Sequence, residues 1–269
     1  MTLIAWALVG SMALLDTAWC VHVGLSIDRL WIPAGAVGLL LAIAAAYRRR
    51  SRALSTKAGS GGLWIAFAVA GCVLTYLAAT CSRPLQDAAL TDMDRALGFD
   101  WLTLYDAMLA HPALHRTLAL AYASLAPQIT LSVLLLPARR NHEMVVLATL
   151  ALLPTVAVSL LWPALGPFTA HAVTATYLPD LLALRGSGPW RFDAPALEGI
   201  VTMPAYHATL AVLFAYGWRG MGMLTGIAVA LNAVMLLSVP PVGGHYLVDV
   251  LAGAVIALLA VGARRSVRP

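Results

Sequence analysis

The stretch GGHYLVDVLAGAVIALLAVG, Gly243 to Gly262, decides how the chain is read. A helix of about 20 mainly apolar residues crosses the roughly 30 Å hydrocarbon core of a bilayer, and this run has that length and character. Yet it carries a histidine and an aspartate, His245 and Asp249. Ionisable groups are costly in lipid and by default mark a functional path or an internal pair. The i, i+4 spacing sets both on one helix face, with the carboxylate one turn deeper than the imidazole. A carboxylate there can accept the N–H of one ring nitrogen, fix the tautomer, and leave the lone pair of the other free, as a nucleophilic or general-base histidine requires.

Similar apolar runs recur along the 269 residues, at about 3–25, 31–47, 62–81, 113–136, 143–162, 200–217 and 221–238. With 61% hydrophobic and 11% charged residues, the composition excludes an ordinary soluble domain. The expected fold is all-α, a polytopic membrane bundle of about eight transmembrane helices with interfacial helices on its outer face. The first run lacks a basic n-region and a small-residue cleavage site, so it is read as a span and not a signal peptide. Cys20, Cys72 and Cys81 are scattered through apolar stretches and suggest no disulfide framework.

The net charge of +5 is explained by topology and not by nucleic acid. If the spans alternate, Arg48, Arg49, Arg50, Arg52, Lys57, Arg139, Arg140, Arg219, Arg264, Arg265 and Arg268 all fall on one side. By the positive-inside rule that side is cytoplasmic and holds both termini. Glu143 is the only acid expected among those inner loops. The outer side has two long segments. Ser82–His115 mixes leucines with acids and reads as interfacial amphipathic helices; Pro163–Gly199 is rich in helix breakers. Loops of that length commonly bind or cover something.

Further candidates cluster on the outer side. His207, in EGIVTMPAYHATLAV, starts the sixth run at the level of His245. Outer basic residues are scarce, which singles out Arg185 in LLALRGSGPW as a phosphate clamp, with Arg191 as a weaker one. Two histidines and one aspartate also make the donor set of an open zinc site, but no HExxH or Cys-rich pattern accompanies them; the reading carries no metal and no cofactor. His111, His115 and His171 are outer-side residues expected to be solvated or interfacial, with lining of the entrance as the alternative. Asp16, inside the first run, is expected to pair internally or border a polar pocket.

Together, MPAYHA and SVPPVGGHYLVDVLAG resemble the type-2 phosphatidic acid phosphatase superfamily, whose second and third motifs read approximately Pro-Ser-x-His and Ser-Arg-x5-His-x3-Asp. Pro204 and His207 match the second; Ser238, His245 and Asp249 match the third. Ala205 stands at the motif serine, Val239 at the motif arginine, and no Lys-x6-Arg-Pro first motif precedes His207. RPLQDAALTDMDRALGFDW, YASLAPQ and LWPALGP resemble the inositol phosphorylceramide synthase-like (inositolphosphotransferase) subgroup. The resemblance implies metal-independent phosphoryl transfer from a membrane lipid with a phosphate-containing headgroup to an alcohol or water. His245 then takes the nucleophile's place, Asp249 that of its orienter and His207 that of the general acid. Arg185, Gly244, Tyr246 and Tyr206 are the substrate-binding candidates. The resemblance also implies a six-helix core, residues 62–269, preceded by two added helices in residues 1–61. A simple lipid phosphatase and a non-catalytic lipid-binding or transport relative are the alternative functions. The expected location is the bacterial inner membrane with the site facing outward.

Overall fold

In a computed structural model the chain is described for residues 1–266, with side chains to Arg264. Arg268 and the side chain of Arg265 lie outside the described residues. The elements are α1 (Thr2–Val23), β1 (Leu25–Asp28), α2 (Trp31–Ala46), α3 (Arg52–Ala79), α4 (Asp87–Ala96), α5 (Trp101–Ala110), α6 (Pro112–Ala123), α7 (Leu125–Leu135), α8 (Ala138–Leu161), α9 (Pro167–Ala170), α10 (Leu178–Leu184), β2 (Trp190–Asp193), α11 (Tyr206–Gly217), α12 (Met223–Gly243) and α13 (Leu247–Ser266). It is an all-α polytopic bundle. Among the described residues five helices, α1, α3, α8, α12 and α13, are long and apolar enough to cross a membrane; α6 and α7, bent by 50°, make a sixth if counted as one span. The other two expected spans are shorter helices: α2 has 16 residues and α11 only 12. α11 falls short because Ile200–Ala205 approaches it as non-helical chain, ending in an extended Ala205.

α3 begins at Arg52, well before the expected apolar start near 62, because Ser51 caps it by accepting the Leu54 amide at 3.3 Å. Gly61 and Gly62 face α2: a Cβ on either would sit 3.6 Å from Leu40, in ordinary van der Waals contact. α3 and α8 form the centre, contacting each other and α1, while α8 also packs on α11 and α13. Trp64, Leu147, Leu152 and Phe214 fill the interior between them.

The two ends of the bundle differ in chemistry. At the end holding Met1, buried Glu143 pairs with Arg219 at 3.0 Å and Arg264 at 4.0 Å, and His142 meets Thr2 at 3.0 Å and Ser60 at 3.4 Å. At the other end lie α4, α5, α9 and α10. The long segment around them has a strand that the sequence reading lacked: β2 pairs in parallel with β1, Leu25 opposite Trp190. Arg29–Asp193 and Arg191–Asp28 ion pairs close this strap, and the Arg29 hydrogen bond holds the Asp193 carboxyl below the usual range.

Candidate active site

The start of α13 is built by acids from α4. Helix N-termini expose backbone donors without intrahelical partners, and the amides of Leu247 and Val248 donate to the two Asp94 oxygens at 2.8 and 3.0 Å. Burial pushes Asp94 up while the two amide donors pull it down. One step earlier, the Tyr246 amide donates to Asp249 Oδ2 at 2.9 Å. Asp87 lies two turns from Asp94 on the same face of α4, with fully buried Leu90 between them. It accepts the Leu165 and Gly166 amides and, at 3.1 Å, the Tyr246 hydroxyl. Two carboxylates on one short helix thus pin both backbone segments beside His245.

His245 is buried, and its Nδ1 lies 2.8 Å from the Thr202 carbonyl and 3.5 Å from Asp249 Oδ2. A carbonyl only accepts, so Nδ1 carries the proton and the Nε2 lone pair is free. The expected aspartate thus shares the ring nitrogen with a main-chain carbonyl that the sequence did not indicate. Asp249 is drawn to the Tyr246 amide, and the nearer acceptor for the imidazole is main chain. The remaining Asp249 oxygen, Oδ1, is buried and has no hydrogen-bond partner among the described residues.

His207, in the first turn of α11, stacks on Tyr122 of α6 with ring centroids 4.4 Å apart; the Tyr122 hydroxyl is 3.4 Å from Nδ1. α11 and α13 are locked together at this level. The Ala205 amide donates to the Asp249 carbonyl at 3.0 Å and Thr209 donates to the Gly253 carbonyl at 2.9 Å. His207 and His245 line one cavity of about 160 Å³ together with Tyr122, Tyr177, Thr202 and Tyr206. Its far wall is apolar, made by Trp64, Phe67 and Gly71 of α3, Leu125 and Ile129 of α7, and Leu152 of α8.

The other sequence candidates separate. Tyr206 lines the histidine cavity, but its hydroxyl donates to the Ala148 carbonyl at 2.8 Å. Tyr246 is buried, turned to Asp87. Gly244 is a left-handed C-cap of α12 at φ +67°, and a Cβ there would overlap the Phe168 ring. Arg185 lines a neighbouring cavity of about 20 Å³ with Arg83, divided from the histidines by Ile200–Thr202; its guanidinium donates to the Arg83 carbonyl at 2.7 Å. Arg191 is held by Asp28. His171 stacks on Trp101, whose indole donates to the Pro240 carbonyl at 2.9 Å. Ala205 and Val239 are fully buried against Ala208 and Val250, so the two departures from the motif are packing positions. Among the described residues no group of three His, Cys, Asp or Glu is placed to hold a metal ion.

Fold and site define a polytopic helical membrane protein with two histidines on one cavity whose far wall is apolar. The family model described as PAP2 superfamily matches residues 88–263, about two thirds of the chain, and the chain belongs to that superfamily. Membership supports phosphatase- or phosphotransferase-type chemistry on a lipid substrate. No curated protein and no solved structure matches the chain. Tyr122, Thr202, Asp87 and Asp94 are the site residues that the sequence reading left without a role. The acids had a signal, their seven-residue spacing around Leu90; Thr202 acts through its carbonyl and had none.

Proposed function

We propose that the protein is a metal-independent lipid phosphotransferase that works through a phosphohistidine on His245. The observation that supports this most strongly is the shared cavity, in which His245 has Nδ1 bound to a carbonyl and His207 stands beside it. His245 Nε2 attacks phosphorus, forming N–P as the bond to the leaving oxygen breaks, and His207 gives that oxygen its proton. The phosphorylated imidazole is cationic; the Thr202 carbonyl and Asp249 both face its Nδ1–H. In the second step His207 takes a proton from an alcohol or water, whose oxygen attacks phosphorus and releases His245. The Tyr122 hydroxyl, beside His207, is a neutral donor for the transferring oxygens, with Arg185 acting from behind the Ile200–Thr202 partition, whereas the Tyr177 hydroxyl donates to the Leu165 carbonyl at 3.0 Å.

The inositol phosphorylceramide synthase-like resemblance favours an alcohol acceptor and a sphingolipid-type product; a simple lipid phosphatase is the second reading. In this proposal α1 and α2 are additions to a catalytic unit that begins with α3. The Met1 end, with its arginines, is cytoplasmic and the histidines face outward in a bacterial inner membrane. The test is turnover of a labelled lipid phosphate by purified protein, with and without an added alcohol. Wild type should label covalently and turn over in EDTA, and both His245→Ala and Asp249→Asn should be folded and inactive. Equal rates in the variants sink the assignment, an unlabelled and inactive wild type favours a lipid-binding role, and dependence on zinc favours a metal mechanism.

A further inference from the structure

Asp16 is the least explained charge in the molecule. The buried stripe of α1 is Ala5, Val9, Met12 and Asp16, so the carboxylate occupies a position where its helix otherwise presents apolar packing. Asp16 is 4% exposed, and among the described residues neither carboxylate oxygen has a hydrogen-bond partner. Nor does it border a polar pocket, as the sequence had suggested. It lines a groove of about 670 Å³ between α1, α2 and α3 whose walls are chiefly alanine, valine and leucine. The groove exists because α2 packs on α3 without burying any of its own residues and leaves α1 at a distance. Val21, Leu30 and Ala34 on its rim are exposed, so it opens toward the bilayer.

The other polar side chains along the groove are occupied or weak: Thr17 donates to the Ala13 carbonyl, Ser26 to the Trp190 carbonyl, and Cys20 is a free thiol. No cation lines it. A buried carboxylate without a counter-charge or donor is strongly disfavoured, and both oxygens lack donors. A hydroxyl brings one donor and no charge, whereas a primary ammonium brings three donors and the missing positive charge. We propose that the α1–α2–α3 groove is a binding site for an ammonium-bearing amphiphile, with the ammonium on Asp16 and the hydrocarbon body against α2 and α3. Asp16 lies seven residues before the end of α1 at Val23, which places that head about 10 Å below the helix end.

The full chain in detergent is titrated with dodecylamine and with dodecanol. Wild type should bind the amine at least about tenfold more tightly, the scale of a charge-assisted hydrogen bond. D16N should erase the preference while keeping the melting temperature at or above that of wild type. Ala34→Trp, which fills the groove and spares the carboxyl, should lose both ligands. Equal affinity for amine and alcohol in wild type, or an unchanged preference in D16N, overturns the proposal. Nanodiscs of ethanolamine and of choline phospholipid then separate the sources of the ammonium. Displacement of the amine by the former alone assigns a membrane lipid head, displacement by neither assigns a free long-chain amine, and equal displacement by both overturns the role of the N–H donors.

Discussion

Replacing Asp94 with alanine removes one side chain from α4 and leaves two amides of another helix, those of Leu247 and Val248, without acceptors. Each bond to an ionised acceptor contributes about 1.5–3 kcal/mol, and a helix cap as a whole typically about 1. Because one carboxylate serves both donors, a combined loss of about 3 kcal/mol is the central expectation. The cost falls locally, on the first turn of α13, so it should be read as local opening. At about 1.4 kcal/mol per factor of ten, exchange of the two amides with solvent should accelerate roughly 100-fold, while amides in the middle of α8 change little. His245 lies two residues upstream of the released turn. Asp94 touches no reacting atom, so it is a positioning residue, and loosening the nucleophile should lower kcat by about 10- to 100-fold with KM nearly constant. Asp94→Asn should be almost as damaging, since its NH2 group confronts one of the two amides. Hydrogen exchange with mass analysis, paired with kinetics on one lipid phosphate, measures both effects. Unchanged exchange at 247 and 248 in the alanine variant refutes the clamp; faster exchange with wild-type kcat refutes its link to His245.

Other perturbations separate the remaining elements. Val239→Arg, which restores the motif arginine, should destabilise the fold by about 3–5 kcal/mol because its site is fully buried among Ala205, Ala208 and Val250; a folded, more active variant would show that the guanidinium finds the cavity. Gly253→Ala should separate α11 from α13, since the new methyl overlaps the Ala205 carbonyl, and thermal unfolding at least several degrees lower is expected. Arg185→Ala should weaken a phosphate-bearing lipid more than one with the same tails and no phosphate, and equal losses in a binding assay would remove Arg185 from the site. The depressed Asp193 carboxyl makes the β1–β2 strap stronger above the ordinary carboxylate pKa of about 4 and weaker as pH falls through its folded value. Amide exchange along Leu25–Asp28 should therefore speed up, relative to intrinsic rates, on acidification, and a pH-independent ratio would contradict the ion pair's role.

How much of this was legible in the sequence depends on whether the signal was carried by side-chain period or by backbone. Apolar runs identified every long helix, and the His245–Asp249 spacing located the site, because burial of those groups is costly enough to demand a reason. The polar, glycine-containing stretch before Leu63 hid the true start of α3, which the Ser51 cap sets at Arg52. The 12-residue α11 misled in the opposite direction, starting later than expected, since the apolar chain before it is buried without being helical. The first-choice acceptor for His245 was invisible, since a main-chain carbonyl leaves no residue signature. Arg185 was chosen for scarcity of charge on its side, and scarcity says nothing about which side of a thin partition a guanidinium occupies.

Part of the wall facing the two histidines comes from α3, between Trp64 and Thr75, before the family match begins at residue 88, and the rest from α7 and α8 inside it. Under the proposed function, the surface opposite the reacting groups is therefore drawn partly from chain outside the matched stretch. If that cavity takes a lipid tail, as the proposed function requires, chain-length preference should be adjustable through Phe67, Ala68 and Gly71 without touching the two histidines. Exchange of α3 between related proteins would then transplant a taste for particular tails without disturbing the chemistry.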